Sequence, residues 1–385
     1  MQHRAASQPG VKRAACLTLL LLACAPVLAQ EQVVRIGVSG PLSGPNAFAG
    51  KDNENGVRLA LDDLNTRHLQ RGGRPLRFEL VSEDDAGDPK TGVAVAQKFA
   101  DGGVYFVLGP YNSGVAIPAA RVYHDAGILM STVGTSPKIT AAHYPNVFRI
   151  VASDTQVGAS MASYAARELK IRTVGVVDDR TAFGQGIADE FARRARAAGV
   201  TVAGREFTTD KASDFSAILT ALRAKKVDAI FFGGYAPQAA PMARQMKALG
   251  MAHVRLLGGD TLCSPEIAKL GGDAVGANLL CAQAGAMLDR QAGGAAFKAR
   301  YRQRFGRDPD VYAPAFHDQA LFIGQAIAAA PAGALDPAAV AKTLHTQSYT
   351  GVAGTYAYDA DGNLSKTTVT VYTFSNGQLA PLASY

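Results

Sequence analysis

The sequence predicts an α/β protein of two doubly wound lobes. The first observation is the stretch 104–136, VYFVLGPYNSGVAIPAARVYHDAGILMSTVGTS. A short apolar run, 104–108, breaks at Gly109-Pro110, and the polar tip Tyr111-Asn112-Ser113-Gly114 opens an Ala/Val/Ile-rich helical segment reaching Asp125. A second apolar run, 128–131, ends in another polar tip, Thr135-Ser136. Two buried strands around a crossover helix form one βαβ unit. The second observation is that βα alternation restarts after residue 153 and runs through a second full series. The third is length, since 385 residues suit two domains of ordinary size.

In chain order, residues 1–29 have the form of an export segment. Arg4, Lys12 and Arg13 are a basic start, 17–22 an apolar centre, and Val27-Leu28-Ala29 a small-residue cleavage site, which makes Gln30 the first mature residue. A rival reading is a lipobox, Leu21-Leu22-Ala23-Cys24, which would anchor the protein through Cys24. Of 39 basic residues, three fall in this segment, so the mature chain carries a net charge of about +4 against 32 acids. Its basic residues are scattered, which excludes a nucleic-acid footprint. After cleavage only Cys263 and Cys281 remain. In an oxidising compartment an even pair reads as a disulfide. No histidines stand at ligand spacing, so no metal or other cofactor is expected.

Strand 33–39 is closed by Gly40-Pro41-Leu42-Ser43-Gly44-Pro45, and a helix opens near Gly50-Lys51. This is no phosphate loop, because five residues separate Gly44 from Gly50 and Asp52 stands where a magnesium-binding hydroxyl is needed. Strand 77–82 ends in Glu83-Asp84-Asp85, and Asp88 before Pro89 caps a helix over 91–99. After the organising βαβ unit come strand 146–150 and the exit Val151-Ala152-Ser153-Asp154. The second series predicts strands 173–177, 201–207, 227–232 and 255–257, alternating with helices 155–169, 186–198, 214–224 and 237–249. A strand over 277–281 follows. Helices 291–305, 312–329 and 338–346 then run without strands between them. The expected close is a hairpin of 355–358 and 367–374 around Asp359-Ala360-Asp361-Gly362, a turn rather than a calcium loop because the far glutamate is missing.

In such sheets ligands lie beyond the carboxyl ends of the strands. Ser113 and Ser136 then face one spot, and Ser113 starts a helix whose free N–H groups favour an anion. A carboxylate cradle is the expectation.

SGPLSG, DDAGDPK, GILMSTVGTSP, FGQG and FFGGY together resemble the bacterial periplasmic leucine/isoleucine/valine-binding proteins, substrate-binding subunits of ABC importers. The resemblance runs through the mature chain in order. It implies the type I periplasmic binding fold, two Rossmann-like lobes joined by a three-segment hinge, closing on a ligand. The crossings would fall near Ala152-Ser153, Gly285 and Gly354. Lobe one would then hold 30–152 and 286–353, and lobe two 153–285 and 354–385. It implies that Ser113 and Ser136 bind the ligand's α-carboxylate, with Asn112 beside them. Gly134 offers its carbonyl to the amine, Asp260 meets the ammonium, and Tyr235 follows the Gly-Gly pair. Two positions depart from the family: Ala49 with Phe48 beside it in the first loop, and Phe183 where a tyrosine is usual. Both changes leave the preferred side chain open.

The function so implied is a periplasmic, monomeric receptor that delivers a hydrophobic amino acid to an ABC permease and its ATPase. Alternatives are a receptor for a small aromatic or aliphatic carboxylate, or a ligand sensor with the same fold. An enzyme is disfavoured, since no G-x-S-x-G elbow occurs and no histidine stands near a plausible serine.

Overall fold

The structure, a computed structural model, describes residues 1–3, 6, 30–285 and 287–385. Most of the predicted export segment, Cys24 included, lies outside the described residues. Among those described, no helix is long and apolar enough to cross a membrane.

The first lobe begins with β1 (Gln32–Gly40), α1 (Ala47–Thr66), β2 (Gln70–Arg71), β3 (Arg74–Asp84) and α2 (Pro89–Asp101). It continues with β4 (Phe106–Leu108), α3 (Ser113–Asp125), β5 (Leu129–Thr132) and β6 (Val147–Arg149). The sheet order is β2-β3-β1-β4-β5-β6, parallel except at β2. Near-continuous apolar runs such as Phe106-Val107-Leu108 form strands here because helices cover both faces. Asp88 caps α2 as its spacing predicts, accepting from the Thr91 N–H at 2.9 Å, with Pro89 in the first turn.

Ser153 crosses into the second lobe with a capping box, its side chain and that of Gln156 closing the start of α4 (Asp154–Arg167). Then follow β7 (Thr173–Asp178), α5 (Ala182–Ala197), β8 (Thr201–Phe207), α6 (Ser216–Ala224) and β9 (Ala229–Gly233). α7 (Ala236–Ala248), β10 (Arg255–Gly258), α8 (Pro265–Gly271) and β11 (Leu279–Ala284) complete the parallel series. In both sheets the first strand of the series lies between the second and third, β3-β1-β4 and β8-β7-β9, so each has its topological switch beside its first strand.

The helical stretch returns to lobe one as α9 (Gly294–Phe305), α10 (Ala313–Ala329) and α11 (Pro337–Thr346). Tyr301 of α9 donates to the buried Asp52 carboxylate at 2.7 Å, and Leu64 of α1 presses on Gly324 of α10. A small ribbon, β12 (Tyr349–Thr350) with β13 (Thr355–Tyr356), follows, and the chain ends in β14 (Val369–Ser375) and β15 (Gln378–Ser384).

The close of the chain corrects the expected hairpin. Residues 355–358 do not pair with 367–374. β13 pairs with β12, and β14 pairs with β15 around Asn376-Gly377, both at positive φ. The segment up to Leu364 stays on lobe one. The Arg149 N–H donates to the Gly362 carbonyl at 2.8 Å, Thr140 to Asn363 at 2.9 Å, and the Tyr358 hydroxyl to Gln319 at 2.7 Å. The third passage between lobes therefore lies at 365–368 rather than at Gly354. It is tied to the second by the Gly285 N–H donating to Thr368 O at 2.7 Å.

Candidate ligand-binding site

The site is assembled from strand tips. Gly109, at φ 116, lies so close to the Ser39 carbonyl that a Cβ there would sit 2.0 Å from it. This close turn sets Asn112 at the cap position of α3 and Ser113 in its first turn. At the neighbouring tip the Gly134 N–H donates to Thr132 Oγ1 at 2.9 Å, and Thr132 donates to Pro110 O at 2.6 Å. A side chain at Gly134 would strike Ile139 at 2.6 Å. The Ser136 N–H donates to Ser113 Oγ at 3.2 Å, so the two predicted serines meet, and Ser136 Oγ accepts from the Lys138 N–H at 3.4 Å. Arg149 braces this tip from behind, donating to Ser136 O at 2.6 Å; burial pushes its guanidinium down to about 10.

The second lobe brings aromatic rings. Asp179 Oδ1 accepts from the Thr181 N–H and hydroxyl at 2.9 and 2.7 Å, and Thr181 caps α5 by accepting from the Gly184 N–H at 2.9 Å. That places Phe183 in the first turn of α5. Tyr235 stands at the start of α7, its ring 5.2 Å from Phe183 and 6.1 Å from Tyr111 of lobe one. Tyr312, just before α10, stands 6.2 Å from Tyr111. The side chain of Asn112 lies beside the Tyr235 hydroxyl.

Two carboxylates face this cluster. Asp260 opens a short 3-10 turn after β10 and is 2% exposed. Tyr312 of the other lobe donates to its Oδ2, while Oδ1 has no partner. Asp154, 1% exposed at the start of α4, lies beside Thr135 and meets no cation at salt-bridge distance among the described residues. Burial pushes Asp260 up to about 7. Burial pushes Asp154 up to about 8, with Thr135 and Arg149 pulling down and Asp260 and Glu190 pushing further up. Buried acceptors without donors are costly; Asp260 comes from the other lobe, whereas Asp154 adjoins the serine tip itself, its N–H donating to Thr135 O at 2.9 Å. The arrangement matches a molecule with an anionic and a cationic end.

Ser113, Ser136, Gly134, Asn112, Phe183, Tyr235 and Asp260 thus lie on facing strand tips. Phe48 packs against the hydrophobic cluster that holds these rings but makes no ring pair with them among the described residues. It lines a groove at the rim with Pro45, Pro237 and Pro241. Sequence reasoning passed over Tyr111, Tyr312 and Asp154. Tyr111 was visible as part of a polar strand tip, whereas Tyr312 arrives from a helix start with no local signal. The Cys263–Cys281 disulfide is formed, with Cα atoms 5.4 Å apart. No group of three or more His, Cys, Asp or Glu suited to a metal occurs among the described residues.

The periplasmic binding protein family model matches residues 33–378. A Leu/Ile/Val-binding protein, BraC3, of Rhizobium johnstonii is 38% identical over 67% of this chain and 69% of its own. Leu/Ile/Val-binding protein homolog 1 of Brucella abortus is 33% identical over 89% of this chain and 91% of its own. Among solved structures, the leucine binding protein LivK of Thermotoga maritima superposes with a TM-score of 0.83 at 25% identity, covering 91% of this chain and 98% of that one. A Rhodopseudomonas palustris solute binding protein in complex with benzoate gives 0.80 at 18% identity, covering 92% and 96%.

Proposed function

This chain belongs to the periplasmic binding protein family, and from that premise we propose that it captures a hydrophobic, branched-chain amino acid by lobe closure and delivers it to an ABC permease. It is a solute-binding protein and not an enzyme. The reading takes Ser113, Ser136 and the start of α3 as the carboxylate cradle, with Asp260 and Asp154 as partners of the ammonium. Tyr111, Phe183, Tyr235 and Tyr312 form the side-chain wall. Export to the periplasm, with an ATPase behind the permease, completes it. The observation that carries it is the buried Asp260 of one lobe, with an oxygen left unpartnered, meeting Tyr312 of the lobe that holds the serine tips. A zwitterion supplies what each side lacks, and an apolar side chain suits the rings.

A thermal-shift screen of the twenty amino acids tests this. A ligand at 100 times its dissociation constant adds about 2.7 kcal/mol to stability. Leucine, isoleucine or valine is expected to give the largest shift, and no shift with any amino acid overturns the reading. A second reading, a small carboxylate without an amine, has the benzoate-bound structural neighbour in its favour. Benzoate and 4-methylpentanoate in the same screen distinguish it.

A further inference from the structure

Arg149 interrupts the apolar run Val147-Phe148-Arg149-Ile150-Val151 at the end of β6, and it is only 4% exposed. No carboxylate stands at salt-bridge distance from it among the described residues, and its acceptors are neutral. Nη1 donates to Ser136 O at 2.6 Å and to Thr135 O at 3.4 Å. Nη2 donates to Thr140 Oγ1 at 3.0 Å and to Asn363 Oδ1. The acids that act on it through space are Asp154 and the exposed Asp359. Burial pushes Asp154 up to about 8, so at pH 7 it offers Arg149 little negative charge, and an ammonium that ionises it also claims it. A buried cation without a counter-ion is costly, and the cost falls when an anion settles nearby.

The hydrogen bonds show where that charge is felt. Thr135 O accepts from Arg149 and from the Asp154 N–H at 2.9 Å. The same peptide unit carries the Ser136 N–H, which donates to Ser113 Oγ at 3.2 Å. Ser113 Oγ is thus the acceptor toward Ser136, and its own proton stays free of that bond. Each bond polarises the next, so the positive charge behind the tip strengthens the Ser113 hydroxyl as a donor to an anion.

We propose, resting on the reading of the two serine tips as a carboxylate cradle, that Arg149 is the positioning residue that sets this cradle for an anion. Its charge, and not only its bonds, then separates a carboxylate ligand from the matching neutral amide. Arg149 touches no ligand in this scheme and acts through Thr135, Ser136 and Ser113. With Asp154 and Asp260 given over to the ammonium, the ligand carboxylate is the anion left to compensate the guanidinium.

Asn363→Asp tests the charge while keeping the brace. An aspartate there accepts from Arg149 and Thr140 as the amide oxygen does, and its own charge cancels that of the guanidinium. Arg149→Gln, without the charge, is the second variant. Calorimetry at pH 7, direct for leucine and by displacement for leucinamide, gives the ratio of the two affinities in proteins whose melting shows them folded. Each variant should cut the leucine-to-leucinamide ratio by about tenfold or more, the scale of one partly buried charge. Equal losses for both ligands leave the ratio at its wild-type value, make Arg149 a structural brace alone, and overturn the proposal. If the wild type binds benzoate and no amino acid, benzoate against benzamide reads the same ratio. The amino-acid reading then fails, while a ratio that falls in Asn363→Asp still supports the role of Arg149 and an unchanged one still overturns it.

Discussion

On the proposed reading Asp260 and Asp154 discriminate the ligand class, since both are buried acids. Asp260→Ala is expected to weaken amino-acid binding by about 3–5 kcal/mol, the scale of breaking a buried charge pair. It should spare the matching deaminated acid. Calorimetry showing leucine-type ligands held equally well by the mutant removes Asp260 as the ammonium partner. The pH dependence follows from the same residues. Both acids are held above the ordinary carboxylate value in the ligand-free protein, to about 7 and about 8. A raised acid binds more protons folded than unfolded, so its contribution to stability is full at low pH and is lost as pH rises from about 4 to 8. An ammonium beside them favours ionisation, so binding releases protons and amino-acid affinity should rise from about pH 5 to pH 8. A ligand with only a carboxylate should show the opposite slope. Calorimetry near pH 6 in buffers of different ionisation heat reads the proton count directly. Asp260 was legible as an acid at a strand tip. Asp154 was not, since it sits in the first turn of a helix that Ser153 and Gln156 close with a capping box, and the sequence does not reveal that its carboxyl is buried near Asp260. Tyr312 was hidden because it meets Asp260 from 52 residues away.

The elements that hold these residues differ in how openly the sequence announces them. β3 and β8 are partly exposed and carry mixed residues, whereas the central strands β1, β4, β7, β9 and β10 were legible because burial on two faces makes them short apolar runs. β15 was not, because it is an edge strand carrying Pro381, opposite the register shift at Val371/Tyr372. The alternating residues Thr355 to Tyr358 imitated a hairpin arm although Tyr358 is a buried residue of lobe one. The disulfide acts at this scale too. It fixes the turn after β10, which carries Asp260 three residues before Cys263, to β11. Closing a loop with a sequence separation of 18 contributes about 3 kcal/mol by the chain-entropy model. Cys263→Ser with Cys281→Ser should lower the denaturation midpoint accordingly. Amino-acid affinity should fall as well, since the turn bearing Asp260 is then less constrained. Stability lost with affinity unchanged would confine the bridge to a structural role.

Across the whole molecule, the lobes meet through few polar contacts, and these set the cost of closing. Tyr312 reaches Asp260, and Ser264 donates to Asp310 at 2.7 Å. Asp310 is in turn fixed to lobe one, its N–H shared between both oxygens of Asp52 at 3.0 Å. Three thin passages offer little resistance to opening, so ligand is expected to shift the population toward the closed form. Small-angle scattering should then show a smaller radius of gyration with leucine than without. The Ser264–Asp310 contact is a candidate for part of that balance, but Ser264 also accepts from the Glu266 N–H and caps α8. Ser264→Ala would remove both roles at once. Ser264→Asp keeps a capping side chain while setting a second carboxylate against Asp310. At pH 8 this variant should melt close to the wild type, scatter as a more open particle without ligand, and bind leucine several-fold more weakly through the added cost of closure. Wild-type scattering and wild-type affinity together would show that the contact follows closure without contributing to it.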